Sequence, residues 1–108
     1  MSEDERIEEV ILYLVKNLGS DMTDYISGDG LVAAIVDEPV SDLIEKRLRC
    51  AHEASRMIID SYDAVMARTW MFGCNQHLGG AAPAFVIRRA ITNFEDVISA
   101  AKAFVYNA

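Results

Sequence analysis

Apolar side chains recur at helical spacing along most of the chain. The first series runs through Ile7, Val10, Ile11, Leu14, Val15 and Leu18. Ser2 and Glu5 precede it with the spacing of a capping box, and Gly19 follows it. The pattern predicts a helix that begins at Ser2 and closes at Gly19.

Two shorter elements are expected next. Ser20 or Asp21 can cap a short helix that reaches Ile26, and Leu31–Asp37 forms a third element. That element ends before Pro39, because the residue that precedes a proline is pushed out of the α region.

A long amphipathic helix follows, with Ser41 as its cap and with apolar positions that continue to Ile58. Ser61 is expected to cap another helix, which stops at Gly73. A turn of glycine and polar residues then separates this helix from the rest of the chain.

The C-terminal part predicts two more helices. Pro83 suits the first turn of a short one, and Thr92 with Glu95 forms a second capping box that opens the last one. No window shows the alternation of a strand. The sequence therefore predicts an all-α, compact, single-domain helical bundle, with one part at residues 1–40 and another at residues 41–108.

Composition limits the cellular setting. The longest apolar run, from Val10 to Val15, has six residues, whereas a membrane span needs about 20. The N-terminus is acidic, and two cysteines make no disulfide framework. We expect a cytoplasmic protein with no membrane segment.

Charge is unevenly distributed. Residues 1–38 hold ten acidic and two basic side chains, whereas residues 39–108 hold seven acidic and eight basic ones. The only basic cluster is Lys46, Arg47, Arg49 and Arg56. Because Glu45 and Glu53 interleave with it, we interpret it as a solvated face with i,i+4 pairs. The acidic N-terminal part would be repelled by a phosphate backbone, so DNA binding is not expected.

The segment Trp70-Met71-Phe72-Gly73-Cys74-Asn75-Gln76-His77-Leu78-Gly79-Gly80-Ala81-Ala82-Pro83 is the most distinctive one. It resembles the toxin-binding domain of the Xre/MbcA/ParS-type antitoxins, in which Trp, Asn, Leu-Gly-Gly and Pro recur at this spacing. The resemblance extends from about Leu48 to the C-terminus. Cys74 stands where that family usually has proline, and Ala81 and Ala82 stand where a basic residue is common.

The resemblance implies a function. Antitoxins of this kind bind RES-domain toxins, which consume NAD, and their C-terminal region obstructs the NAD-binding cleft. It also implies a homodimer, which the apolar stripe of the long helix would allow, although that stripe equally suits an internal core. An N-terminal helix-turn-helix usually accompanies the family. Here Leu31–Asp37 has no basic or amide donor for bases or phosphates, so residues 1–40 are interpreted as a degenerate or truncated version.

Two segments are predicted to contact the partner. The first is the loop region, represented by Trp70, Asn75, Gln76, His77, Leu78, Gly79, Gly80 and Pro83. Its polar side chains exceed what a connector requires. Alternatively, Trp70, Phe72 and Leu78 anchor the loop in the core and Asn75 caps a turn. The second segment is the C-terminal tail with Phe104, Val105 and Tyr106, whose large apolar side chains could be packed or presented to a partner. Few contacts are expected to hold this tail.

Catalytic, cofactor and metal sites are not predicted. Cys50, His52, Cys74 and His77 are potential zinc ligands, but Cys-x-His on a helix directs its side chains about 200° apart. Buried structural cysteines and a surface or edge position for His52 are expected instead. No nucleophile elbow, P-loop or dinucleotide fingerprint occurs, so an enzyme is not expected.

The sequence thus predicts an antitoxin-like protein that binds and neutralises a RES-domain toxin by occluding its active site. A helix-turn-helix transcriptional regulator and a stand-alone interaction module from a mobile element are the alternatives.

Overall fold

Six α-helices form in the computed structural model, which describes residues 6–28, 42–90 and 92–107. They are α1 (Ile7–Leu18), α2 (Ser20–Ser27), α3 (Asp42–Ser61), α4 (Ala64–Phe72), α5 (Pro83–Arg89) and α6 (Phe94–Asn107). A 3₁₀ turn at Gln76–Leu78 lies between α4 and α5. No strand occurs in these ranges, so the all-α prediction is confirmed.

The long helix α3 is the centre of the bundle. It contacts every other α-helix of the described ranges, and its most extensive packing is against α6. Leu48, Ala51, Ala54 and Ile58 are fully buried along one face. The apolar stripe that could have served either a dimer or the core is therefore used by the core.

One hydrophobic core unites the helices. The buried set includes Val10 and Leu14 of α1, Ile26 of α2, and Val97 of α6. The radius of gyration is 12.8 Å, close to the value of about 13 Å for a compact domain of this size. The chain is a single domain. No helix in the described ranges is long and apolar enough to cross a membrane.

Three helices begin at residues other than the predicted caps. Ser61 is the last residue of α3, and Asp63 caps α4 instead, because its Oδ1 accepts a hydrogen bond from the Met66 amide at 2.8 Å. The first helix begins at Ile7, after Arg6 in an extended conformation. The last begins at Phe94. Gly19, Gly73 and Pro83 occupy their predicted places.

Several predicted features lie outside the described residues. They are the capping box of Ser2 with Glu5, the cap at Ser41 and the third element at Leu31–Asp37. The helix-turn-helix interpretation depends on Leu31–Asp37 and stays a prediction.

Arginines from other helices cap the C-terminal ends of α1, α2 and α5. Arg68 Nη1 donates to the Asn17 carbonyl at 2.8 Å, and Arg88 Nη1 donates to the Tyr25 carbonyl at 2.7 Å. Arg47 reaches the Ser27 carbonyl at 3.0 Å and the Ala90 carbonyl at 3.4 Å. These carbonyls belong to helix ends, where intrahelical donors run out; the Tyr25 carbonyl also accepts from the Gly28 amide at 3.2 Å.

The basic cluster is therefore not only a solvated face. Arg49 does pair with Glu45 at 2.8 Å, as the i,i+4 spacing predicts, but Arg47 is half-buried between α2 and α5. Gly28 makes room for it: a Cβ atom there would lie 2.7 Å from Arg47 Nη1. The glycine also has a φ of 89°, which favours a residue without a side chain.

Removal of the Arg47 cap should destabilise the bundle. We expect Arg47→Ala to lower the free energy of unfolding by about 1–3 kcal/mol, because it leaves part-buried carbonyls without a charged donor. Lys46→Ala, at an exposed neighbouring position, should change it by less than about 0.5 kcal/mol. Urea unfolding followed by circular dichroism measures both, and equal effects would contradict the capping role.

Candidate partner-binding cleft

Asn75 organises the loop that follows α4. Its side-chain Oδ1 accepts from the His77 amide at 2.9 Å. Its main-chain oxygen accepts from the amides of Leu78 at 3.0 Å and Gly80 at 2.8 Å. Gly79 and Gly80 complete the turn with φ values of 68° and 89°. Asn75 thus caps a turn, as one of the two interpretations of the loop required.

The loop and the last helix enclose a cleft. Its volume is about 410 Å³. The lining consists of Thr69, Trp70, Gly73, Cys74, Asn75, Gln76, His77, Ala100, Ala103 and Phe104. Two segments that the sequence predicts separately as partner contacts, the loop and the C-terminal end, therefore meet at one place.

The other predicted contact residues lie outside the lining. Leu78 and Val105 are half-buried and pack against the core. Pro83 is fully buried at the first residue of α5, so its side chain is not accessible to a partner. Gly79 and Gly80 are exposed. Tyr106, on the last turn of α6, exposes 76% of its surface, more than any other large apolar residue in the described ranges.

The C-terminal end is held more firmly than expected. Phe104 is half-buried, and its ring centroid lies 5.5 Å from that of Tyr62 and 6.5 Å from that of Trp70. The expectation that few contacts hold residues 104–106 is therefore wrong for Phe104 and Val105. The reason is that α6 continues to Asn107 and keeps its apolar side on the core.

Trp70 belongs to both the core and the cleft. Only 7% of its surface is exposed, and it is part of the hydrophobic cluster. Its Nε1 is buried without a hydrogen-bond partner in the described part of the chain. An unpaired buried donor lowers the stability of the fold by about 1–3 kcal/mol. The contribution of the indole to stability therefore comes from its buried apolar area.

Two polar side chains of the cleft have no hydrogen-bond partner among the described residues, whereas Thr69 and Asn75 are engaged within the chain. The side chains of Gln76 and His77 are exposed. Neither makes a hydrogen bond within the described ranges. Among the described lining residues there is no Asp, Glu, Lys or Arg. The cleft is therefore neutral and polar along the loop, and apolar along α6.

The two cysteines and two histidines do not form one site. Cys50 and His52 are buried in α3, whereas Cys74 and His77 are exposed in the loop. The expectation of buried cysteines is therefore confirmed for Cys50 and wrong for Cys74. No group of three potential metal ligands occurs in the residues described. The surface position predicted for His52 is wrong: only 2% of it is exposed, and its ring meets Tyr13 edge-on at 4.8 Å.

Burial also determines the chemistry of Cys50. It raises the pKa of the Cys50 thiol to about 12, and the Glu53 carboxylate adds to the effect. The thiol remains protonated at neutral pH and donates towards the Phe94 carbonyl at 3.7 Å. A protonated, buried thiol is a poor nucleophile.

No protein-family model, curated protein or solved structure matches this chain. The geometry of the cleft and the sequence resemblance are therefore the basis for a functional proposal.

Loss of Trp70 should weaken the fold. We expect Trp70→Ala to lower the free energy of unfolding by about 3–5 kcal/mol, because it removes a large buried ring. Trp70→Phe should cost clearly less, since a ring is kept and no hydrogen bond of the indole is lost. Urea unfolding measures both. Equal losses for the two variants would mean that the indole has a specific partner.

The two thiols should react differently. At pH 8, a thiol reagent such as DTNB should modify Cys74 in the native protein, and Cys50 only after denaturation. The exposed Cys74 is accessible, whereas Cys50 is buried and its pKa lies near 12. Mass spectrometry identifies the modified residue, and rapid labelling of native Cys50 would contradict its placement in the core.

Proposed function

We propose that this chain is an antitoxin-like protein that binds a RES-domain, NAD-consuming toxin in the cytoplasm and neutralises it by covering its active site. The observation that carries the proposal is the meeting of the loop at residues 73–80 with α6 in one cleft. The resemblance assigns partner contact to these same two segments. The protein acts by occlusion and contributes no chemistry of its own.

The composition of the cleft supports recognition. Cys74 and His77 are the titratable side chains among its described lining residues. No carboxylate lies with them to orient the imidazole as a base. The aromatic rings of Trp70 and Phe104 lie beside amide side chains. Aromatic surface with neutral polar groups at its edge is typical of the energetic centre of an interface.

Tyr106 supports the occlusion part of the proposal. It extends from the last described turn of α6 with most of its surface exposed. Phe104, two residues earlier on the same helix, is fixed by two other rings. A side chain presented by a fixed helix loses little conformational entropy on binding, so Tyr106 is suited to enter a cavity of a partner.

The acidic charge supports the kind of partner. The net charge of the chain is −7, although the lining of the cleft carries none of the carboxylates. Those charges would attract a basic surface at long range, and a cavity that binds a dinucleotide is basic because it must hold phosphates. Charge thus steers the encounter, while the neutral cleft makes the contact.

The test uses a purified RES-domain protein encoded in the same genome and follows its consumption of NAD⁺. An equimolar amount of this chain should stop the reaction. Tyr106→Ala should weaken inhibition about thirtyfold, which corresponds to the roughly 2 kcal/mol of an interface anchor.

Leu12→Ala is the matched control. Leu12 exposes 69% of its surface on α1, and it does not line the cleft. Its replacement should leave inhibition unchanged. A chain that leaves the toxin fully active, or a loss of inhibition that is equal for Leu12→Ala and Tyr106→Ala, would contradict the proposal.

A further inference from the structure

Small residues keep the cleft open beside two aromatic rings. Ala100 and Ala103 form its side on α6, Gly73 lies at the end of α4, and Trp70 and Phe104 add the rings. The volume of about 410 Å³ lies in the range of roughly 300–1,000 Å³ that is usual for binding pockets. It is sufficient for a large side chain together with some of the backbone that carries it.

Three hydrogen-bond donors of the cleft lining have no partner within the described ranges. The Asn75 Oδ1 is engaged by the His77 amide, so the open part of this side chain is its Nδ2 donor. Gln76 adds a second free amide. The Trp70 Nε1 is a third donor, buried and unpartnered on a ring that lines the cleft. An occupant that brings acceptors would satisfy groups that the chain itself leaves unpaired.

Charge selects among possible occupants. The described lining residues include no Asp, Glu, Lys or Arg. A charged side chain that entered the cleft would lose its water without gaining an opposite charge, and such burial is unfavourable. The occupant is therefore neutral where it enters.

From these three observations we infer that the cleft receives an uncharged peptide segment of the partner protein. A large aromatic side chain of the segment lies between Trp70 and the alanines of α6, and its backbone carbonyls accept hydrogen bonds from the amides of Asn75 and Gln76. This inference rests on the proposed function, since the segment belongs to the neutralised toxin.

The single tryptophan of the chain makes the cleft directly observable. Its indole N–H gives one signal in a ¹H–¹⁵N NMR spectrum of the full-length protein. The probes are N-acetyl-phenylalaninamide, N-acetyl-glycinamide, which lacks the ring, and N-acetyl-lysinamide, which carries a charge. Only the first should shift the indole signal and the Gln76 side-chain amide in a saturable way. No shift, or an equal response to the lysine or glycine derivative, overturns the inference.

Two substitutions on α6 locate the response. Ala103→Leu fills the cleft and should weaken binding of N-acetyl-phenylalaninamide at least tenfold. Ser99→Leu adds similar bulk at an exposed position outside the lining and should leave binding unchanged. Gln76→Ala, at an exposed residue, should weaken binding severalfold and serves if Ala103→Leu fails to fold. The inference is overturned if a folded Ala103→Leu protein binds N-acetyl-phenylalaninamide as well as the unaltered chain. If Ala103→Leu does not fold, undiminished binding by Gln76→Ala overturns it.

The RES-domain assay separates this inference from the proposed function. If Ala103→Leu folds and neutralises the toxin as well as the unaltered chain, the proposed function stands and the inference fails. If the unaltered chain leaves the toxin active but its cleft still binds N-acetyl-phenylalaninamide, the peptide site stands and the proposed toxin is wrong.

Discussion

The ends of three helices impose the constraint on which the rest of the structure depends. A helix leaves its last carbonyls without donors, and helices as short as α2, with eight residues, are marginal on their own. Arg68, Arg47 and Arg88 supply the donors from α4, α3 and α5. Arg68 and Arg88 each join two helices, and Arg47 joins α3 to the ends of both α2 and α5. The caps thus fix α4 against α1 and α5 against α2, and α4 is the helix that carries Trp70 and leads into the loop.

This use of arginine also shapes what the surface can bind. Three of the eight basic side chains in residues 39–108 point their donors at main-chain carbonyls within the chain. Arg49 is paired with Glu45. A surface for phosphates needs several free cations close together, and these four arginines are engaged by groups of the chain itself. Under the proposed function, recognition uses the neutral, aromatic cleft instead. In that proposal the chain is a helical binder of a protein, and its acidic charge acts at a distance.

Much of the fold could be predicted from helical periodicity, because one face of each helix is apolar and glycine or proline marks most ends. The choice between Ser61 and Asp63 as the cap of α4 could not be predicted in this way. Both residue types are good caps, and only packing decides where α3 ends. His52 was misjudged from its polarity, although it stands four residues after Leu48 and three before Ser55, both buried. Helical spacing was the correct signal. The loop could be recognised by residue type, but its approach to Phe104 depends on how α6 packs, and no local pattern encodes that contact.

The cleft and the core share side chains, and this sharing limits how each can vary. Trp70 lines the cleft with a ring that is almost entirely buried, and Phe104 contacts that ring from α6. A replacement at either position changes stability and recognition together. Gln76 and Tyr106 are exposed and have no such double role. Under the proposed function, specificity for one partner over another can therefore change at those two positions at little cost in stability. Trp70, Asn75 and Phe104 keep the shape of the cleft constant. The buried Trp70 and the half-buried Phe104 thus hold the cleft in shape through the same burial that stabilises the domain, and the exposed residues Gln76 and Tyr106 can be replaced independently of it.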